Sequence, residues 1–215
     1  MVVGAGQTLV IVTRNIDLSV GSTLGLSAMV MGMVARSNPE FSTVGLILIS
    51  MFVGGLCGLL NGLLVSYGKI PSIIATLGTL AIIRGAVFIV SDNVQIDPND
   101  VPQAIIDLST TSPIGIPWLL IFAFISITLV WYISSQTLLG KRIYAVGSNP
   151  EGAISRGLSF NRITILVFVF LGVLAGVGGV LYTARYATIN PADVGRGLEF
   201  DVISAVVIGG TNIFG

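Results

Sequence analysis

The residues able to do chemistry are few, and their types narrow what that chemistry is. The 215-residue chain has no histidine and a single cysteine, Cys57, set in an apolar run. That excludes histidine acid–base catalysis, Cys/His metal centres and an intramolecular disulfide. The phosphate-cradling pattern G-x-x-x-x-G-K-[ST] is absent, because Gly140-Lys141 continues into Arg142 and Gly68-Lys69 into Ile70. G-x-S-x-G and HExxH are absent as well. The sequence therefore offers no catalytic residue, no metal ligand set and no cofactor site. What it does offer is hydrogen-bonding groups among apolar ones: Thr13-Arg14-Asn15-Ile16-Asp17-Leu18-Ser19, then Ser22, Asn61, Thr76, Thr79 and Arg84. Groups of this kind hold a polar solute, or one another, without making or breaking bonds.

Their setting is a lipid bilayer. The chain is 53% hydrophobic and 9% charged, with a mean hydropathy of +0.97, against about 25% charged for soluble proteins. Ten Lys and Arg balance ten Asp and Glu, which leaves no basic surface for nucleic acid. A hydrocarbon core of about 30 Å needs about 20 apolar helical residues. Full spans are expected near 18–35, 44–65, 72–90, 114–133 and 163–182. Residues 1–12 and 202–213 are apolar over only about half a span. The expected fold is thus all-α, a polytopic transmembrane helical bundle with five full spans and two partial ones. Residues 1–215 form one transmembrane domain that reads as truncated at both ends.

Charge sets the orientation. Residues 134–162 carry Lys141, Arg142, Arg156 and Arg162 against Glu151, whereas 91–113 carry Asp92, Asp97, Asp100 and Asp107 without Lys or Arg. The first connection is cytoplasmic and the second external. Alternation puts Arg14, Asp17 and Lys69 inside, and Arg36, Glu40 and 183–201 outside. Trp118 and Tyr182 near outer ends, with Tyr67, Trp131 and Tyr132 near inner ends, fit interfacial belts.

Gly54, Gly58 and Gly62 recur every four residues, and Gly21 with Gly25 and Gly172 with Gly176 repeat that spacing. Small residues so spaced let a second helix backbone approach, within the chain or at a subunit interface. Gly178-Gly179 and Gly209-Gly210 permit a kink or break. Arg84 either snorkels to the outer headgroups or faces a wet cavity and meets a solute or an acidic neighbour. Thr76, Thr79 and Asn61 join helices or line a pathway. The cluster 13–19 is a tight reversal in which Asp17 or Ser19 caps the next helix. Alternatively its non-helical backbone lines a transport route, since irregular structure at membrane depth must be shielded or face water.

In the cytoplasmic connection 134–162, Asn149 is placed as N-cap, Pro150 at the first position, Glu151 in the first turn, Arg156 in the last and Gly157 as terminator. A helix of about two turns cannot hold itself in water. It either rests on its own membrane domain or docks a cytoplasmic partner through Ala153, Ile154 and Tyr144 beside Arg142 and Arg156. A polytopic chain with no nucleotide site and a docking helix reads as a transport subunit driven by another chain.

Residues 8–22 (TLVIVTRNIDLSVGS), 69–85 (KIPSIIATLGTLAIIRG), 139–159 (LGKRIYAVGSNPEGAISRGLS) and 197–215 (GLEFDVISAVVIGGTNIFG) resemble the permease subunits of bacterial carbohydrate ABC importers of the ribose/xylose/arabinose type. TRNIDLSVGS and KIPSIIATLGTL are most similar to the autoinducer-2 and rhamnose importer permeases. The resemblance covers essentially the whole chain. It implies a type II-like permease in the bacterial inner (plasma) membrane that translocates a monosaccharide or sugar-like signal and is not itself an enzyme. Its implied partners are cytoplasmic ATP-binding subunits, a second permease copy or homologue, a periplasmic solute-binding protein and membrane lipid. The family's coupling segment falls on Gly140, Arg142, Tyr144, Gly147, Asn149, Glu151, Ala153 and Gly157. Asn15, Asp17, Ser19, Ser22, Asn61, Thr76, Thr79 and Arg84 are the expected substrate pathway. Arg156 departs from the family, whose members often have a small residue there, and the family's roughly ten helices exceed those encoded here. The alternative is a secondary transporter or channel working without an ATPase. Such proteins usually need an embedded carboxylate or histidine, and here the acids fall almost wholly in connections. A scaffold protein would leave the polar reversal unused.

Overall fold

Long apolar segments with few charges leave the backbone one economical way to satisfy its N–H and C=O groups in lipid, which is α-helix. The computed structural model describes residues 1–110 and 115–212 and is helical over most of them. The helices are α1 (Val2–Val12), α2 (Val20–Ser37), α3 (Thr43–Ser66), α4 (Ser72–Ser91), α5 (Gln103–Thr110), α6 (Trp118–Gln136), α7 (Leu138–Ser148), α8 (Pro150–Ser155), α9 (Phe160–Tyr186) and α10 (Leu198–Ile208). A 3-10 turn at Pro98–Asp100 precedes α5. The start of the expected span at Ile114, the end of the external connection at Pro113, and Ile213 to Gly215 lie outside the described residues.

Among the described residues four helices, α3, α4, α6 and α9, are long and apolar enough to cross a membrane. The remaining expected span, 18–35, differs. As α2 it starts only at Val20, and Ser22, Thr23, Ser27 and Arg36 dilute its hydropathy. It is sheathed by protein, packing on α9, α4 and α3. Burial takes the place of lipid solvation there. At the centre stands α9, two thirds of whose apolar stretch is buried, while α6 keeps most of its surface outward. Val10, Ile11, Met29, Leu46, Phe168 and Leu171 fill the space between these helices.

The four-residue glycine spacing of α3 meets that of α9. A Cβ added at Gly54 would strike the Gly172 carbonyl, one at Gly58 the Phe168 carbonyl, and one at Gly62 would lie 2.9 Å from the Ile165 Cα. The stripe is therefore an intramolecular contact of two backbones. Gly178-Gly179 does not break its helix, since α9 runs unbroken to Tyr186. Both glycines admit neighbours instead: Gly178 faces the Leu24 and Val3 side chains, and Gly179 the Ala28 backbone. Gly209-Gly210 does end its helix, with Gly210 at φ +89°.

Residues 183–201 are not simply an outer connection. Ile189 pairs with Ile96 in an antiparallel bridge beside Gly32 of α2. Val194 then lies against Gly25, and Gly195 and Glu199 against Gly21. Gly21 and Gly32 are separated by about 16 Å of helix at about 1.5 Å per residue. The chain thus re-enters along α2, with Gly195 and Gly197 at φ +67° and +78°, and α10 begins beside Gly21 with Glu199 buried there. The small residues of α2 make room for it.

Gly58→Leu should overpack the α3–α9 contact and cost about 1–3 kcal/mol or more. Gly78→Ala, where an added Cβ meets nothing within 4 Å, should be neutral or gain up to about 1 kcal/mol in helix propensity. Thermal unfolding of the two variants in detergent checks the contrast, and equal effects would contradict it.

Candidate functional site

The reversal between α1 and α2 is built from both of its ends. Thr13, Arg14 and Asn15 donate their N–H groups to the Val10, Ile11 and Val10 carbonyls at 3.1, 2.8 and 3.2 Å, which closes α1. The Thr13 hydroxyl also donates to the Val10 carbonyl at 2.8 Å, and the Asn15 amide donates to the Thr13 carbonyl at 2.9 Å. These bonds satisfy carbonyls that a helix end leaves open. Arg14 is in the left-handed region at φ 61°, and this turns the chain back toward the interior.

Asp17 is the hub. Its Oδ1 accepts from the Ser19 N–H and the Ser19 hydroxyl, both at 2.7 Å, and its Oδ2 accepts from Asn61 Nδ2 at 3.1 Å. The same Asn61 nitrogen donates to Ser19 Oγ at 2.7 Å, while Asn61 Oδ1 accepts from the Thr79 hydroxyl at 2.7 Å. Donors therefore run in one direction, from Thr79 through Asn61 and Ser19, and end on a carboxyl that need only accept. Alongside, the Ile16 N–H donates to Ser72 Oγ and the Leu18 N–H to Thr76 Oγ1, each at 3.1 Å. From α1, Gln7 Nε2 donates to the Asp17 carbonyl at 3.4 Å. Asp17, Ser19, Asn61, Thr76 and Thr79 are all buried.

Neither Asp17 nor Ser19 caps α2 through its side chain. The Asp17 carboxyl takes the N–H of Ser19 itself, and the Ser19 hydroxyl is committed to Asp17 and Asn61. Of the eight expected pathway residues, Asp17, Ser19, Asn61, Thr76 and Thr79 are brought into this seam, with Asn15 one turn away on Thr13. Ser22 is buried on α2, and its hydroxyl has no partner among the described residues. Arg84 is elsewhere. It turns inward instead of snorkelling, and its Nη1 donates to the Val194 carbonyl at 2.6 Å in the re-entrant segment. Glu199, buried at the start of α10, and Arg196 lie within its electrostatic range. Asp17 and Glu199, acids expected in connections, are thus inside the bundle.

At the other end, α8 follows the expected signals. Asn149 Oδ1 accepts from the Gly152 N–H at 2.9 Å, Pro150 opens the helix and Gly157 stands at φ +80°. Arg156 is the C-cap, just past the last turn. Ala153 is buried and not outward, while Ile154, Tyr144, Arg142, Asn149, Glu151 and Gly157 are exposed. Gly140 and Gly147 are buried because backbone fills their side: the Ile133 and Ser134 carbonyls at Gly140, the Val12 carbonyl at Gly147. Helix α7 itself was not expected. Its inward residues Gly140, Ile143, Val146 and Gly147 follow helical spacing, the signal that identifies it. Ser72, Gln7 and the segment 187–197 were also missed. Arg84 was the pointer to the last of these, since a charge at that depth requires a partner. Among the described residues no three His, Cys, Asp or Glu side chains gather as metal ligands.

The whole chain, residues 1–215, matches the family model described as branched-chain amino acid transport system / permease component. It is 37% identical over 213 residues to an autoinducer 2 import system permease protein LsrC of Photorhabdus luminescens, covering 98% of this chain and 62% of that one. A protein of the same name from Yersinia pseudotuberculosis serotype IB (strain PB1/+) is 38% identical over 215 residues, covering 98% and 58%. One from Yersinia pestis (strain Pestoides F) is 36% identical over the same coverage. The chain thus spans about three fifths of the length of the curated relatives it matches. No solved structure matches it.

Replacing Asn61 by Leu leaves Asp17 Oδ2 without its donor and the Thr79 hydroxyl with only the Thr76 carbonyl at 3.2 Å, so it should cost about 2–3 kcal/mol, while Thr79→Val should cost about 1 kcal/mol. Because the two side chains share one bond, the double variant should cost less than the sum. Thermal unfolding of all three variants reads this, and strict additivity would contradict the seam.

Proposed function

This chain belongs to the branched-chain amino acid transport system / permease component family, and from that premise we propose that it is the permease subunit of an ATP-binding-cassette importer in a bacterial inner membrane. Its solute is a small hydroxyl-rich molecule of the sugar or autoinducer-2 class, in keeping with the similarity to autoinducer 2 import permeases along nearly its full length. That similarity carries the reading. A periplasmic binding protein delivers the solute, and a second permease copy or homologue completes the cavity. Hydrolysis of ATP occurs on cytoplasmic subunits that seat on residues 134–162, against α7 and α8.

The physical roles divide accordingly. Arg142, Tyr144, Asn149, Glu151 and Gly157 face outward and meet the ATPase. Gly140, Gly147 and Ala153 are inward and hold the segment against the bundle. Asn15, Asp17, Ser19, Ser22, Asn61, Thr76, Thr79 and Arg84 belong to the polar wall of the route, closed in this conformation because most are buried. Closure of the ATPases moves the cytoplasmic segments. The cavity then exchanges an outward-facing form that binds the solute well for an inward-facing one that binds it poorly, a population shift driven by differential affinity. No bond in the solute is made or broken.

Ile154, 57% exposed, and Tyr144, 49% exposed, are the apolar anchors of the docking face. Ile154→Asp combined with Tyr144→Asp in the full gene product should abolish co-purification of the ATPase subunit while membrane insertion is retained. Undiminished co-purification would remove the docking assignment.

A further inference from the structure

We infer that Arg14 is a positioning residue that carries movement of α7 and α8 into the polar seam. This rests on the reading that those helices receive the ATPase. Arg14 Nε donates to the Gly147 carbonyl, and its Nη2 donates to the Ser148 carbonyl at 2.8 Å. These are the last two residues of α7, whose carbonyls have no partner further along the helix, and a cation there also complements the negative end of the helix dipole. Asn149, the N-cap of α8, is the next residue. Displacement of the start of α8 therefore pulls on the two carbonyls that Arg14 holds.

Three features make this contact more than an incidental surface bond. First, Arg14 occupies the left-handed region at φ 61°, where residues other than Gly, Asn and Asp are uncommon, so its neighbours must hold it there. Second, the contact is backed by bare backbone: a Cβ on Gly147 would strike the Val12 carbonyl, so the ends of α1 and α7 touch directly. Third, Asp17, the acceptor hub tied to Ser19 and Asn61, is three residues along the chain. A continuous path of covalent and hydrogen bonds therefore runs from α8 through the carbonyls of 147 and 148, the guanidinium and residues 15–17 to Asn61 on α3 and Thr79 on α4. Contiguous bonded networks that have two discrete arrangements carry coupling between distant sites. Two carbonyls side by side suit the forked donors of arginine better than the point charge of lysine.

The test uses the full gene product assembled with its ATPase subunit in nanodiscs, read by hydrogen exchange before and after ATP loading. In the unmutated complex, ATP should change exchange in α8 and in residues 15–19 alike. Arg14→Gly suits a positive φ without strain and so keeps the reversal while deleting the link. ATPase association and the α8 response should persist in it, whereas the response at 15–19 should fall about tenfold, within the range of coupling between sites. Arg14→Lys should restore part of it. An undiminished response at 15–19 in Arg14→Gly would overturn the inference, and so would loss of ATPase association in that variant, which would make Arg14 a structural prop of the docking segment. If the unmutated chain fails to retain the ATPase, the reading beneath falls, and the inference with it.

Discussion

An unpaired N–H or C=O inside a greasy bundle costs more than almost any other local defect, and residues 13–19 place several there at once. The carboxyl of Asp17 resolves the problem. It takes the Ser19 amide and hydroxyl and an Asn61 hydrogen, while Ser72 and Thr76 take the amides of Ile16 and Leu18. The rest of the architecture follows from keeping these partners in range. Asn61 sits where it does because α3 is locked to α9 by glycines that let the two backbones touch. Ser72, Thr76 and Thr79 come from the N-terminal part of α4, which runs alongside α2.

A second non-helical stretch, 187–197, enters from the other end. It is held by Arg84 at the Val194 carbonyl and by the room that Gly21 and Gly25 leave. Helix α2 is thus flanked by two irregular segments, one leading into its first turn and one lying along it. Rigid spans such as α3, α4 and α9 surround these places where the backbone departs from helix. Helices α7 and α8 join the same system through the end of α1, so their exposed face and the polar interior are neighbours in structure although far apart in sequence.

Much of this was legible in the residue order. Apolar run lengths gave the four long helices, because lipid thickness imposes one scale on them all. The spacing of Gly54, Gly58 and Gly62 gave a close backbone contact, and the order Asn149, Pro150, Glu151, Gly157 gave α8, since capping is local chemistry. What failed was whatever depends on where a segment goes once it leaves a helix. Residues 183–201 read as an outer connection from the alternation of the spans, yet their glycines carry them back along α2. Gly178-Gly179 read as a possible kink, but neighbouring backbone and side chains occupy the space those residues leave. Ala153 read as part of an exposed face, and a six-residue helix lying on the bundle turned it inward. The polar residues of the seam were identified one by one. Their convergence on Asp17 was not, because hydrogen bonds across 42 to 44 residues leave no local signature.

Buried side chains, rather than water, satisfy the backbone of the reversal. Residue-resolved hydrogen exchange on the resting, unmutated protein in nanodiscs measures this without any partner or solute. The amides of Ile16, Leu18 and Ser19 should exchange as slowly as those of the α3 interior. Exchange at the rate of a solvated loop would contradict the account.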